Sequence, residues 1–237
     1  MIQSRHGGER KNEAIKMLKV VVFDGGYGGE FFADRLQEDL PVLEIIRVID
    51  WRHADEILKN PRRARRVTEA ALKPYIGKAD LIVLANHLLT MTSLRYFRRK
   101  YRQQKFIGLN LKKPDSFIKR DVLVMTTTAV RRTINYCYFL LRVRRRTKTL
   151  CLDSWPSKID DGELTEAEIR NTLEDFSKRR RFWPGEIVLG CAQLEDVKTE
   201  IKNVLGANLK IYDSYDEAVR GVCQALRIRG GTGKKLS

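Results

Sequence analysis

The stretch Lys19-Val-Val-Val-Phe-Asp24-Gly25-Gly26-Tyr27-Gly28-Gly29 runs from an apolar segment into a carboxylate and glycines, and a helical pattern follows from Glu30. Val20 to Phe23 are β-branched or aromatic without polar alternation, the pattern of a central parallel strand covered on both faces. Asp24 then falls at the strand's carboxyl end, where ligands bind in open α/β sheets because the following helices turn their N-termini to the crevice. The glycines permit close backbone approach and positive φ. A dinucleotide fingerprint starting at Gly26 fails at Phe31, and the tail's Gly233-Lys234 is followed by Lys235 rather than the Ser or Thr of a phosphate-binding loop.

The same alternation continues outward. Helix is expected over Glu30 to Asp39, strand over Leu43 to Ile49, helix over Asn60 to Ile76, strand over Asp80 to Ala85, a basic helix to about Arg102, and strand over Phe106 to Leu109. The pattern restarts with a strand over Asp121 to Thr126, a helix to about Leu141 and a short strand at Leu150 to Leu152. Thr165 and Glu168 have capping-box spacing and open a helix to about Arg179. Glu186 to Cys191 is the next strand, Leu194 to Leu205 a helix and Leu209 to Asp213 a strand, and a second capping box at Ser214 and Glu217 opens the last helix, to about Leu226. The expectation is an α/β protein of two similar lobes, each a parallel sheet flanked by helices. A flexible leader spans 1–17, the first lobe 18–115 plus 206–226, the second lobe 116–205, and a basic disordered tail 227–237.

Composition narrows the function. The 43% hydrophobic content suits a folded chain. No apolar run reaches the roughly 18 to 20 residues of a membrane span, and the polar start lacks a signal-peptide core, which together imply a cytoplasmic protein without membrane partners. Cys137, Cys151, Cys191 and Cys223 form no C-x-x-C pair and histidines are few, so neither a metal centre nor a disulfide scaffold is indicated. Cys137 and Cys223, among apolar helix neighbours, read as core. The formal charge of +16 is compatible with nucleic acid, for which no motif is present, but the basic residues are dispersed along the sequence and read as solvated surface.

The opening stretch resembles the start of the aspartate/glutamate racemase superfamily, where a first strand runs into D-S-G-x-G-G; Asp24, Gly26, Gly28 and Gly29 match, and Gly25 stands for the serine. Leu84-Ala85-Asn86-His87 lies where the family has an apolar strand and then C-N-T, and Leu189-Gly190-Cys191-Ala192-Gln193 where it has L-G-C-T-H. Thr126 to Thr128 resembles the family's A-T-x-x-T turn, and Ile159-Asp160-Asp161-Gly162 its V-E-E-G segment. The P-Y-G loop expected after Asp50 is absent. The resemblance covers roughly Lys19 to Leu226 and implies an active site between the lobes, no cofactor, a small anionic substrate such as an acidic amino acid, and compatibility with a homodimer.

Racemisation without a cofactor needs an acid/base group on each face of the α-carbon. By the resemblance, Cys191 is one of the family's two thiols and Ala85 replaces the other. The candidate catalytic set is therefore Cys191, Asp24 and His87. The candidate substrate-binding set is Gly25, Asn86, Thr126, Thr127, Thr128, Asp160, Ala192 and Gln193. A strand end facing a helix N-terminus in a basic protein would favour the Cys191 thiolate. Asp24 reads equally as an orienting carboxylate or a turn cap, Asn86 as a carboxylate donor or a helix cap, and His87 as a second proton donor or an ordinary helix-start histidine. Beside an amino-acid racemase stand two alternatives: a one-thiol relative resembling arylmalonate decarboxylase, and a silent member that binds an anionic metabolite or nucleic acid.

Overall fold

A computed structural model describes residues 17–54, 57, 60–111, 121–143 and 146–228; the expected leader up to residue 16 and tail from residue 229 lie outside these. β1 (Leu18–Asp24) pairs in parallel with β2 (Leu43–Ile49) on one side and β3 (Leu81–Leu84) on the other, and β4 (Phe106–Gly108) follows β3. β5 (Val122–Thr126), β6 (Thr147–Cys151), β7 (Glu186–Gly190) and β8 (Lys210–Tyr212) repeat the arrangement, so that the sheets run β2-β1-β3-β4 and β6-β5-β7-β8. The expected α/β class of two similar parallel sheets is what forms. The helices are α1 (Tyr27–Asp39), α2 (Pro61–Leu72), α3 (His87–Lys100), α4 (Thr128–Arg131), α5 (Ile134–Val143), α6 (Trp155–Asp160), α7 (Glu166–Arg180), α8 (Lys198–Leu205) and α9 (Tyr215–Leu226).

The unbroken apolar strands are explained by burial on both faces. Val20 and Val22 pack with Phe32 and Leu36 of α1 and Val219 and Val222 of α9, while Val21 and Phe23 pack with Leu72 of α2 and Phe97 of α3. In the second sheet, Leu123 and Met125 meet Ile169 and Leu173 of α7, and Val122 and Val124 meet Tyr136 and Phe139 of α5. The two sheets share side chains across their seam. Leu88 at the start of α3 belongs to the second sheet's core, and Ala192 after β7 belongs to the first sheet's. The Tyr215 hydroxyl donates to the Gly28 carbonyl at 2.9 Å and also approaches the Ala192 carbonyl at 3.5 Å.

Several boundaries differ from the sequence reading. β8 was expected with the first lobe, but it pairs with β7 in the second sheet; only α9, whose apolar face fits the first sheet, returns. The expected helix to Leu141 is divided because the Thr133 hydroxyl, accepting from Tyr136 N–H at 3.2 Å, starts α5 afresh. Thr165 caps α7 as its spacing indicated, accepting from Glu168 N–H at 3.2 Å. At the second box Ser214 makes no such cap: Asp213 accepts from Asp216 N–H instead, at 3.1 Å. Cys137 is exposed, not core.

α1 begins at Tyr27, three residues earlier than expected, with Gly28 and Gly29 inside its first turn. None of the four glycines after Asp24 has positive φ. Their requirement is space: a β-carbon on Gly29 would overlap the Asp24 side chain, and one on Gly28 would sit 2.6 Å from Ala192 Cβ. Helix propensity alone favours Gly29→Ala by up to about 1 kcal/mol, but the overlap should win, with a net loss of about 1–3 kcal/mol in urea unfolding. Gly221→Ala in α9, where the nearest atom to a new β-carbon is Ile107 Cδ1 at 3.6 Å, should be neutral or stabilising. Equal responses at the two positions would refute the packing argument.

Candidate active site between the sheets

The carboxyl ends of β3, β5, β6 and β7 surround a cavity of about 330 Å³. Asn86, His87 and Leu88 line it after β3; Thr127, Ala129 and Val130 after β5; Asp153, Pro156 and Ser157 after β6; and Gly190, Cys191, Ala192 and Gln193 after β7. The site therefore draws on both sheets. Of the candidate residues, Cys191, His87, Asn86, Thr127, Ala192 and Gln193 meet in this one space.

Asp24 lies behind the wall rather than in it. It is buried at 2% exposure and accepts from Asn86 Nδ2 at 2.9 Å and from Gly25 N–H at 2.6 Å. Asn86 is a helix cap, since its Oδ1 accepts from Leu89 N–H at 3.0 Å at the start of α3, while its Nδ2 is taken up by Asp24. The bare α-carbon of Gly28 lets the two halves meet: Asp24 Oδ2 and Gln193 Cδ fall 3.3 Å and 3.5 Å from where its β-carbon would stand.

The remaining candidates are placed around the cavity as supports. Thr126 is fully buried and its hydroxyl donates to the Gly190 carbonyl at 2.9 Å, tying β5 to the turn that carries Cys191. Thr128 gives its N–H and hydroxyl to Asp153, at 2.6 Å and 2.5 Å. Gly25 supplies only its N–H to Asp24. Asp160 receives Gln193 Nε2 at 3.5 Å, and Gln193 Oε1 accepts from the Cys191 thiol at 3.0 Å. Asp153 and Ser157 were missed by the sequence reading, although Asp153 follows directly on the strand expected at Leu150 to Leu152 and the rule that selects residues just past a strand's carboxyl end selects it.

The electrostatics correct one expectation. Burial pushes the Cys191 thiol up to about 12; a hydrogen bond from the Gln193 backbone opposes this, and the carboxylates of Asp24, Asp160 and Glu195 add to it. The thiol rests protonated, not as a thiolate. Part of its surface opens into the cavity, which is lined by no Lys or Arg among the described residues. Burial also raises Asp160 to about 6. Burial pulls His87 down to about 3, so its imidazole is neutral, and neither ring nitrogen has a partner among the described residues.

Asp24 is raised from 3.8 to about 7 chiefly by burial, against the hydrogen bonds from Asn86, Gly25 and Gly29. The folded protein thus keeps a proton that the unfolded chain releases from about pH 4 upward. Its contribution is fully present below about pH 4 and is lost as pH rises through about 7, a change on the order of 4 kcal/mol. Asp24→Asn cannot ionise and should shrink the fall in stability between about pH 5 and pH 8, as measured by urea unfolding. An unchanged fall would show that Asp24 titrates normally.

No protein-family model matches the chain. Among curated proteins it is similar to the glutamate racemase of Clostridium perfringens, 26% identical over 215 residues, covering 87% of this chain and 82% of that protein. Among solved structures it is similar to glutamate racemase from Campylobacter jejuni, with a TM-score of 0.76 at 18% identity over 92% of this chain and 89% of the other. Aspartate racemase from Picrophilus torridus has the same fold, with a TM-score of 0.60 at 13% identity over 91% and 96% of the two chains. In its paired parallel sheets, and over most of its length, the chain is similar to these racemases of glutamate and aspartate.

Proposed function

We propose that the protein carries out cofactor-independent proton transfer at the α-carbon of a small carboxylate or amino acid, with Cys191 as the acid/base group. The observation that carries this reading is the single protonated thiol of Cys191 facing an enclosed cavity, held by Gln193 beside the buried Asp24–Asn86 pair. A protonated thiol is ready to donate. Its S–H bond breaks as a C–H bond forms at a planar, enolate-like α-carbon, and the thiolate left behind takes a proton back in the reverse step. The similar proteins are named for glutamate and aspartate, which makes an acidic amino acid the first substrate class to test.

His87 has a different part in this reading from a second base. An imidazole with a pKa near 3 is too weak to remove an α-proton, but as a neutral ring it offers its N–H to a bound carboxylate and its bare nitrogen to a donor such as an amino group. A ligand that satisfied these buried groups would relieve about 1–3 kcal/mol for each. Chemistry would then proceed on one face only. The one-thiol decarboxylase reading draws on the same observation, since such an enzyme needs a proton donor for the carbanion left when CO₂ departs.

D- and L-glutamate and D- and L-aspartate, incubated separately in D₂O, should reveal α-deuteration of one enantiomer with retention. Cys191→Ala should abolish it, while His87→Ala should slow it roughly 10- to 100-fold, weakening binding without changing the stereochemistry. Full racemisation by the wild type, lost in His87→Ala, would overturn the one-face reading. Silence with amino acids but CO₂ release from a small substituted malonate, lost in Cys191→Ala, would select the decarboxylase. Silence in both would leave a silent member that binds an anionic metabolite.

The resting state of the thiol can be read independently. At about pH 8, Cys191 should react with iodoacetamide on the order of a hundred- to a thousandfold more slowly than free cysteine, as followed by peptide mass spectrometry. Labelling at the free-cysteine rate would remove the protonated donor from the proposal.

A further inference from the structure

The dispersed basic residues of the sequence are gathered by the fold. α2 contributes Arg62, Arg63, Arg65 and Arg66, and α3 contributes Arg95, Arg98, Arg99 and Lys100, while the two helices carry one carboxylate, Glu69. They pack side by side. The Arg65 guanidinium lies 4.6 Å from the centroid of Tyr96 and donates to the Thr92 carbonyl at 3.0 Å, and Glu69 is taken up by Lys100, Tyr96 and Tyr101. What remains is cation without counter-ion: Arg95, Arg99 and Arg132 have no ion-pair partner among the described residues, and the Arg65 Nε is buried without a hydrogen-bond partner.

These groups line a continuous trough. A cavity of about 470 Å³ bounded by Arg65, Arg95, Tyr96, Arg99 and Lys100 meets a second of about 780 Å³ that reaches Arg132; the two share Thr92 and Arg95, and no carboxylate among the described residues lines either. The trough follows α3 from Lys100 to Leu88, a length of roughly 18 Å at 1.5 Å per residue. A small phosphorylated metabolite needs a closed pocket with convergent donors. An open channel of this length with cations spaced along it suits a chain of phosphates.

We propose that this trough, which adjoins the Cys191 cavity at Leu88 and Ala129, binds the phosphodiester backbone of nucleic acid without sequence preference. Guanidinium groups without protein partners release counterions from the phosphates they neutralise, so affinity should fall steeply with salt. The three unpaired arginines and Arg65 imply a slope of log K against log salt of about −3.6 for duplex DNA, shallower for a single strand.

Fluorescence anisotropy with a labelled random-sequence 20-mer, duplex and single-stranded, from about 50 to 300 mM salt, tests the proposal. The expected result is binding at low salt with a slope of about −3.6, reduced by about 2 in an Arg95→Glu/Arg99→Glu variant. An Arg179→Glu/Arg180→Glu variant on α7 has the same net charge and should keep the slope. Melting curves of both variants establish that they fold. No binding at about 50 mM salt, or an equal loss of slope in both variants, would overturn the trough as the site. Complete displacement of the oligonucleotide by millimolar pyrophosphate at constant ionic strength would overturn the nucleic-acid reading in favour of a small phosphate ligand.

Discussion

The close approach at Gly28 and Gly29 is the constraint on which the molecule depends. There the first turn of α1 lies against Asp24 on one side and against Ala192 on the other, so the end of β1 and the turn after β7 share one point of contact. Tyr215 clamps it, its hydroxyl reaching the carbonyls of both Gly28 and Ala192. A single methyl group at this junction would push the sheets apart, and the cavity between them exists only because they are not pushed apart. Fold and site are therefore specified by the same residues. Asp24 ends a core strand, is bound by Asn86 at the end of the neighbouring strand, and stands just behind the space that Cys191 faces.

The charge of the protein and the charge of its cavity point in opposite directions. A formal +16 suggests an environment that stabilises anions, but surface cations act through solvent that screens them over about 10 Å at 0.1 M salt. Burial acts locally and is larger. With burial as the largest cause and three nearby carboxylates acting in the same sense, the Cys191 thiol is pushed up to about 12. The sequence-level argument from a basic protein to a thiolate fails because it ranks a screened, distant effect above desolvation.

The fold was legible where burial leaves continuous apolar runs. β1, β3, β5 and β7 are covered on both faces and read clearly, and four positions at or just beyond the ends of these strands, Asp24, Asn86, Thr127 and Cys191, were named before any coordinates. Short elements carry no such signal. α6 has six residues, too few to show a repeating apolar face, and the start of β6 alternates Thr and Lys, so only its end was read as strand. β8 was read as a strand, but the choice of its sheet depends on pairing with β7, which three residues cannot encode. The basic face was illegible for a different reason: Arg65 and Arg95 are thirty residues apart in sequence and adjacent only once α2 and α3 pack.

The repetition of the two sheets identifies what has been lost. Phe23 pairs with Leu84 at the end of β3, and Thr126 pairs with Gly190 at the end of β7; the next residues are Ala85 and Cys191. Ala85 and Cys191, the two positions that resemble the family's cysteines in sequence, thus occupy the same place in each half of an internally repeated fold. In this chain one half carries a thiol and the other a methyl group that is fully buried in the first sheet's core. His87, two residues further on, enters the cavity with both nitrogens unpaired but with its basicity suppressed by burial. Two halves alike in topology are unlike in chemistry, one holding a proton donor and the other a neutral hydrogen-bonding ring, and that asymmetry is the physical basis for expecting a single reactive face.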